Sequence, residues 1–532
     1  MSTGGPAGMR ELAKLASRRD RIILPIWVDA LVGSAFSTAY SLKGLFPDQA
    51  SRQVFVDGVK SAAGAAPLYG RIMNASLGAI TAWRLGVLAA AVAAVMSVLL
   101  VVRHTRAEEQ TGRQELVAAA AVDRTAPLAA VLQFVVSLDL GIGVLIGAVL
   151  PILGLPAAGA FALGLAVAGC GIFFAAAASV CAQVFESSRA VNTAALSLLG
   201  AFYLLRAVGD AYHAVSWLVW ASPVGWAEAV QPYAGDRWWV LAIPAAGAAL
   251  LAALALSLLS RRDFGSGVLA ARPGPARAAA DTRGTFGLAW RIHRGAVAGW
   301  TAGVLVGALV FGSFVKNVQV LTGGEQVRKT LSELGGSQNP TDAYIGAIME
   351  VFAIMAAAVA LTVIGRARAE EADGRIELVL AGTPSRARWV ASHAVFAVLG
   401  PVLVLAAAGL GAGLSDGLST HDPAHALGSL LGGAFAQAPA VVLIAALAAL
   451  LFAVAPKYTG ASWGLYALFA FLSLVGPELK VGQYVLDASP FSQAPKLPGA
   501  AFAVTPVAVM GALAVAGLAA ALAVFRRRDV LA

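Results

Sequence analysis

The sequence predicts an all-α polytopic membrane protein, with twelve transmembrane helices forming two parallel six-helix repeats and both termini cytoplasmic. Three observations carry this reading. The 532-residue chain is 59% hydrophobic and only 13% charged, with a mean hydropathy of +0.77, too apolar for a surface that must meet water. Apolar runs close to the roughly 20 residues that cross a bilayer as a helix recur along its length. A charged stretch, "RAEEQTGRQELV" at 106–117, returns as "RAEEADGRIELV" at 368–379, identical at nine of twelve positions and offset by 262 residues.

Twelve apolar runs can be read: 22–43, 81–102, 126–150, 157–182, 190–209, 238–259, 295–315, 343–365, 389–414, 427–454, 459–476 and 502–525. The first follows a basic helical stretch, has full span length and lacks a small-residue cleavage site, so it reads as a retained helix rather than a signal peptide. Twelve spans put both ends on one side. That side carries 26 of the 38 Lys and Arg residues, against 12 on the other, which makes it cytoplasmic by the positive-inside rule. The +9 net charge does not point to nucleic acid. The arginines sit at helix ends, as at Arg261, Arg262 and Arg526 to Arg528, rather than in one patch interleaved with aromatics.

The internal repeat sets the domain organisation. "ASP" at 221–223 recurs at 488–490, and "RRD" at 261–263 recurs at 527–529. The lead-ins "RRDRIILPIW" (18–27) and "RIHRGAVAGW" (291–300) both run from arginines to a tryptophan. Because six is even, the two repeats run parallel, related by an axis along the membrane normal. The first half spans 1–263 and the second 285–532, joined by a Gly-, Pro-, Ala- and Arg-rich cytoplasmic linker at 264–284. Long segments of mixed polarity at 44–80 and 316–342 fall outside, between the first two spans of each half.

The repeated stretch falls on the cytoplasmic loop between the second and third spans. Its paired acids, Glu108 and Glu109, matched by Glu370 and Glu371, can neutralise nearby arginines or offer carboxylates to a basic partner. Gly112 and Gly374 are placed to end a helix or turn the chain at positive φ. Arg113, Glu115, Leu116 and Val117, matched by Arg375, Glu377, Leu378 and Val379, read as a helix of about two turns, charged on one side and apolar on the other. Such a helix can dock in a groove of another protein. A loop that merely caps two spans would need the arginines, but not Glu-Glu, Gly and Glu-Leu-Val held in register twice.

Other chemistry is sparse. Cys170 and Cys181 sit eleven apart in one apolar run and read as small packing residues without a disulfide. His421 and His425, near Asp416 and Asp422, lack the third His or Cys of a zinc set. No Gly-x-Ser-x-Gly, His-Glu-x-x-His or Gly-x-x-x-x-Gly-Lys-Ser/Thr motif occurs, so the chain has no nucleotide-binding phosphate loop of its own. Asp29, Asp139 and Glu350 lie within apolar runs, where a carboxylate is costly and marks a candidate substrate pathway. Pairing with Arg84 or Arg206 is the plainer account of them. Trp217, Trp220, Trp226, Trp238 and Trp239 read as an outer interfacial belt.

These residues carry a resemblance. "EEADGRIELVLAGTPSR" (370–386), after the second of six spans, resembles the charged loop element of ABC-2 type permeases. The fused twelve-helix layout, rich in Arg over Lys, looks like the polyketide-antibiotic and multidrug exporter permeases of high-GC bacteria. The resemblance implies a transport subunit that is not an enzyme and binds no cofactor itself. It works with two copies of a separate ATP-binding subunit that supply ATP and Mg, and the repeated loop is the coupling helix seated in that subunit. It further implies export of amphipathic antibiotic- or drug-like molecules across the bacterial inner membrane, and an amphipathic helix at the cytoplasmic interface at the start of each half. In "MRELAKLASRRDR" (9–21), Leu12, Leu15 and Ala16 share a face, and "FGLAWRIHRG" (286–295) is the second candidate. The first copy departs from the pattern, since "AAAAVDRT" (118–125) replaces the Thr-Pro. A proton-driven twelve-helix efflux transporter would share the parallel halves without needing the repeated element. A polytopic lipid-modifying enzyme would want a catalytic acid pair outside, and 44–80 offers only Asp48 and Asp57.

Overall fold

The computed structural model describes residues 8–61, 69–113, 122–263, 265–269, 284–313, 315, 337, 339–474, 476 and 482–529. Among them there are helices and turns and no strand. The chain divides into two compact units, 1–274 and 275–532. Among the described residues, eleven helices are long and apolar enough to cross a membrane.

In the first unit, α1 (Met9–Arg19) is a short helix lying apart from the first span. It ends at Asp20, whose buried carboxylate meets His104 at 2.5 Å and Arg103 at 3.0 Å. The first span, α2 (Ile23–Leu45), follows. It widens into a π-helical turn at Asp29–Gly33, where a Cβ on Gly33 would stand 2.8 Å from the Asp29 carboxylate. An amphipathic helix, α3 (Gln49–Ser61), comes next. Then come α4 (Leu77–His104), the one-turn α5 (Arg106–Gln110), α6 (Ala126–Val149), α7 (Ala157–Val184), α8 (Ser188–Ala211), the short α9 (Pro223–Ala229) and α10 (Ala242–Leu259).

The core sits on α7, which packs against α4, α6 and α10. Glycine permits its closest crossing, because a Cβ on Gly164 would stand 2.0 Å from the Gly143 carbonyl of α6. In lipid, where apolar burial alone does not drive helix pairing, such small-residue contact brings backbones together. Gly164→Val is expected to cost about 1–3 kcal/mol by overpacking, read as a lowered thermal midpoint of the full chain in detergent.

The second unit contains α11 (Gly284–Gly312), α12 (Pro340–Ala372), α13 (Arg375–Leu380), α14 (Arg386–Thr420), α15 (Pro423–Ala436), α16 (Ala438–Val454), α17 (Ala461–Leu474), α18 (Gln483–Leu486), α19 (Pro490–Gln493) and α20 (Val504–Arg527). Here α11 packs along α14, and α15 and α16 form one 32-residue span broken at Gln437.

Two expectations change. The second lead-in, 286–295, is not a separate interfacial helix but the first part of the 29-residue α11. No proline follows it, whereas the first half has Pro25 and the buried Asp20 anchor at that joint. The run at 459–476 yields the 14-residue α17, shorter than the other spans, because it lies between Pro456-Lys457 and the polar Pro477-Glu478. The repeated "ASP" motifs do matching work near the other end of each unit. Ser222 Oγ donates to the Phe202 carbonyl at 2.8 Å and Ser489 Oγ to the Phe469 carbonyl at 2.9 Å, tying a short helix to the fifth apolar helix of its half.

Candidate functional site

The two motifs that recur separately along the sequence meet in space, once in each unit. In the first, Glu109 is buried with 3% of its side chain exposed and takes a two-pronged grip from Arg262 of the first "RRD". Nη1 donates to Oε1 at 2.8 Å and Nη2 to Oε2 at 3.1 Å. Arg106 adds an ion pair at 3.1 Å, and the Gly265 amide donates at 2.8 Å. A planar guanidinium matches a carboxylate in this geometry, which a lysine cannot reproduce. The same arginines reach the end of α7, Arg262 Nε donating to Gln183 Oε1 at 2.7 Å and Arg106 Nε to the Ala182 carbonyl. Carbonyls in a last helical turn lack intrahelical donors, and cations suit that end of the helix dipole. Arg124, at the approach to α6, donates in turn to the Arg262 carbonyl.

The second unit repeats the arrangement. Arg528 of the second "RRD" pairs with Glu371 through Nη2, and its Nη1 donates to the Phe452 carbonyl at 2.7 Å and the Ala453 carbonyl at 3.2 Å, at the end of α16. Arg368 donates to the Pro456 carbonyl at 2.9 Å and lies 3.9 Å from Glu371. Arg386 donates to the Arg528 carbonyl at 2.8 Å. Thus Arg106, Glu109 and Arg124 correspond to Arg368, Glu371 and Arg386, all at the 262-residue offset, and Arg262 corresponds to Arg528. Each unit closes one end with a clamp joining the charged segment that ends its second span to three other helices.

The remaining motif residues face outward from the clamp. Gly112 and Gly374 adopt φ of 71° and 70°, the left-handed turn expected of glycine there. Glu108 pairs with Arg19 of α1 and lies 4.0 Å from Arg113. Glu370 pairs with Arg375 at 2.6 Å, and this hydrogen bond holds the Arg375 guanidinium above its ordinary value. In α13, Ile376 is buried, Val379 half-buried, Glu377 exposed and Leu378 82% exposed. Glu115, Leu116 and Val117 lie outside the described residues.

The three span carboxylates have separate surroundings. Asp139 is buried and accepts from Ser97 Oγ at 2.9 Å, packed where a Cβ on Gly171 would stand 2.5 Å away. Glu350 pairs with Lys496 at 3.0 Å and accepts from Ser473. Asp29 alone of the three is exposed on its helix. Neither anticipated arginine meets them: Arg206 pairs with Asp210 and Glu228 at 3.1 and 3.6 Å, and Arg84 lies over the Tyr69 ring. Trp217, Trp220, Trp238 and Trp239 are exposed, with Trp220 and Trp239 stacked, while Trp226 is half-buried and donates to the Trp220 carbonyl. Cys170 and Cys181 are free thiols. Among the described residues no group of three or more His, Cys, Asp or Glu could hold a metal.

The apolar spans of the two units, eleven among the described residues, and the clamp that recurs in each define a multi-pass membrane protein built from duplicated helical halves. The family model for the C-terminal domain of the multidrug efflux system permease Rv1217c matches residues 283–526. Over 535 residues, covering 99% of this chain and 96% of the relative, the chain is 37% identical to the multidrug efflux system permease protein Rv1217c of Mycobacterium tuberculosis (strain ATCC 25618 / H37Rv). It belongs to this family of ABC-2 type permeases, and is a transporter component of the bacterial inner membrane.

Proposed function

We propose that the protein is the permease subunit of an ATP-driven exporter and moves amphipathic, drug-like molecules out of the cytoplasm or inner leaflet. A separate ABC-type ATPase, in two copies, binds ATP and Mg, and this chain contributes no nucleotide site. The clamp end of each unit faces the cytoplasm, consistent with the arginines gathered there. The observation that carries the reading is α13. It is a short helix beyond the bilayer-spanning α12, held rigidly at its base and offering Leu378 almost fully to solvent. A lone exposed leucine needs no explanation, but one at the tip of a duplicated and clamped element is suited to a partner's groove. The 37% identical relative is itself named a multidrug efflux system permease.

Copurification of the tagged chain with an ABC-type ATPase from its native host tests the proposal. Wild type is expected to retain the ATPase. Leu378→Asp, which alters only an exposed side chain, is expected to lose at least about tenfold in association, as an interface residue worth at least about 1.4 kcal/mol would, at unchanged thermal midpoint. An ATPase-free preparation from wild type sinks the proposal.

Asp29 is the span carboxylate open to a passing solute, and π-helical turns of this kind often mark functional positions. Asp29→Asn is expected to slow efflux of ethidium while leaving the chain as stable as wild type. Unchanged ethidium efflux removes Asp29 from the pathway.

A further inference from the structure

The clamps do more than fasten a loop, because of where their arginines reach. Arg262 and Arg528 close the last span of each half, and each contacts the charged end of the second span, from which the loop leads on, and the end of the fourth span through one guanidinium. Each arginine's own carbonyl is held by an arginine at the approach to the third span. Three of these connections join charged or strongly polar groups removed from water, where electrostatic contacts are stiff. A force on the loop therefore cannot shift it alone.

The ends differ in what lies behind the arginine. In the first unit the start of the linker crosses the clamp. The Ser266 carbonyl accepts from Arg106 and Arg262 at 2.9 and 2.8 Å, and the Val268 and Leu269 amides donate to the Gln183 and Val184 carbonyls at 2.9 and 3.0 Å. Gly267 makes this fit possible, since a Cβ there would stand 2.6 Å from the Val184 carbonyl. In the second unit Arg528 lies instead over the rings of Phe452 and Phe525, at 5.3 and 4.6 Å.

We propose that Arg262 and Arg528 are positioning residues that make the coupling loop and the ends of the fourth and last spans of each unit move as one body, so that displacement of the loop by the ATPase is delivered directly to those spans. The inference rests on the coupling role given above to α13 and its counterpart. It adds the residues through which that role reaches the membrane.

The test uses the complete permease with its ATPase in nanodiscs, in a Cys170→Ala, Cys181→Ala background. Spin labels at Asp373→Cys and Arg527→Cys, both exposed, report the distance between loop and last span with and without ATP and vanadate. The expected wild-type result is one narrow distance distribution that keeps its mean and width on trapping. Arg528→Lys keeps the charge and loses the fork. It is expected to retain the ATPase, broaden the distribution on trapping, and lower permease-stimulated ATP hydrolysis at least about fivefold, the lower end for a lost coupling between sites. Arg262→Lys is expected to do the same to hydrolysis through the first unit. A wild-type distance that shifts on trapping overturns the inference. So does an Arg528→Lys complex with wild-type distance and hydrolysis. A merely structural role would lower the thermal midpoint of the lysine variants without changing the trapped distance, and that result also overturns it. Failure of any ATPase to copurify with wild type strikes the coupling reading itself, before a label is read, and the inference falls with it.

Discussion

Replacing Glu109 with alanine is expected to destabilise the first unit by about 3–5 kcal/mol, the usual cost of stripping one partner from a buried ion pair. The carboxylate is the shared acceptor for Arg262, Arg106 and the Gly265 amide, and its loss leaves two guanidinium groups facing each other with side chains 7% and 1% exposed. Glu108→Ala, one residue away, removes the pair with Arg19, whose side chain is 36% exposed. Water screens that contact, and the change is expected to cost no more than about 1 kcal/mol. The readout is the tryptophan-fluorescence thermal midpoint of the full chain in detergent, compared at one heating rate because unfolding of such a chain is not assured to be reversible. A Glu109→Ala protein as stable as Glu108→Ala would remove the clamp from the account of this fold. The contrast also separates two explanations for the retained Glu-Glu pair. The second glutamate is kept for the unit's own integrity, whereas the first is near enough to the surface to be kept for contact with other groups.

The sequence made this only half visible, for a physical reason. The apolar runs and the 262-residue offset were readable because length, hydropathy and self-similarity are one-dimensional properties. The glycine turns at Gly112 and Gly374 were readable because positive φ favours one residue type. What was not readable was which charge meets which. Glu109 and Arg262 are 153 positions apart, and their copies sit at unequal offsets, 262 for the glutamates and 266 for the arginines. Nothing local therefore announces a pair. Recurrence of both motifs was the available signal, since charges buried at helix ends survive only when matched. Arg124 and Arg386 were obscured differently: the first copy lacks the Thr-Pro of the second, yet keeps the single arginine that reaches the last span's carbonyl. Asp139 found a hydroxyl, Ser97, a partner hidden from the sequence because serine among alanines and valines leaves no mark in a hydropathy profile. Glu350 found Lys496, which lies outside every apolar run and returns to the core only through the turn following α19.

That last pair sets up an experiment in which folding and transport can be told apart. Glu350 has 1% of its side chain exposed and Lys496 15%, so Lys496→Met alone strands a carboxylate in the second unit's interior, and Glu350→Leu alone takes away the carboxylate that faces the Lys496 ammonium. Each single change is expected to cost about 3–5 kcal/mol, while the double Glu350→Leu, Lys496→Met chain should regain most of the loss, because well-packed apolar groups replace a buried pair at little or no net cost. The coupling between the two sites is then the excess of the summed single effects over the double. With stability restored, ethidium efflux by the double variant reports on charge alone. Efflux at the wild-type rate assigns Glu350 and Lys496 to the scaffold, where their mutual neutralisation and the Ser473 hydrogen bond place them. Efflux that stays low in a chain as stable as wild type would instead require the pair to open during transport and expose a carboxylate to the solute. In that case Lys496→Met, with its carboxylate already unpaired, should fall below the double variant in stability and exceed it in ethidium efflux. Equal efflux from the two would exclude the opening.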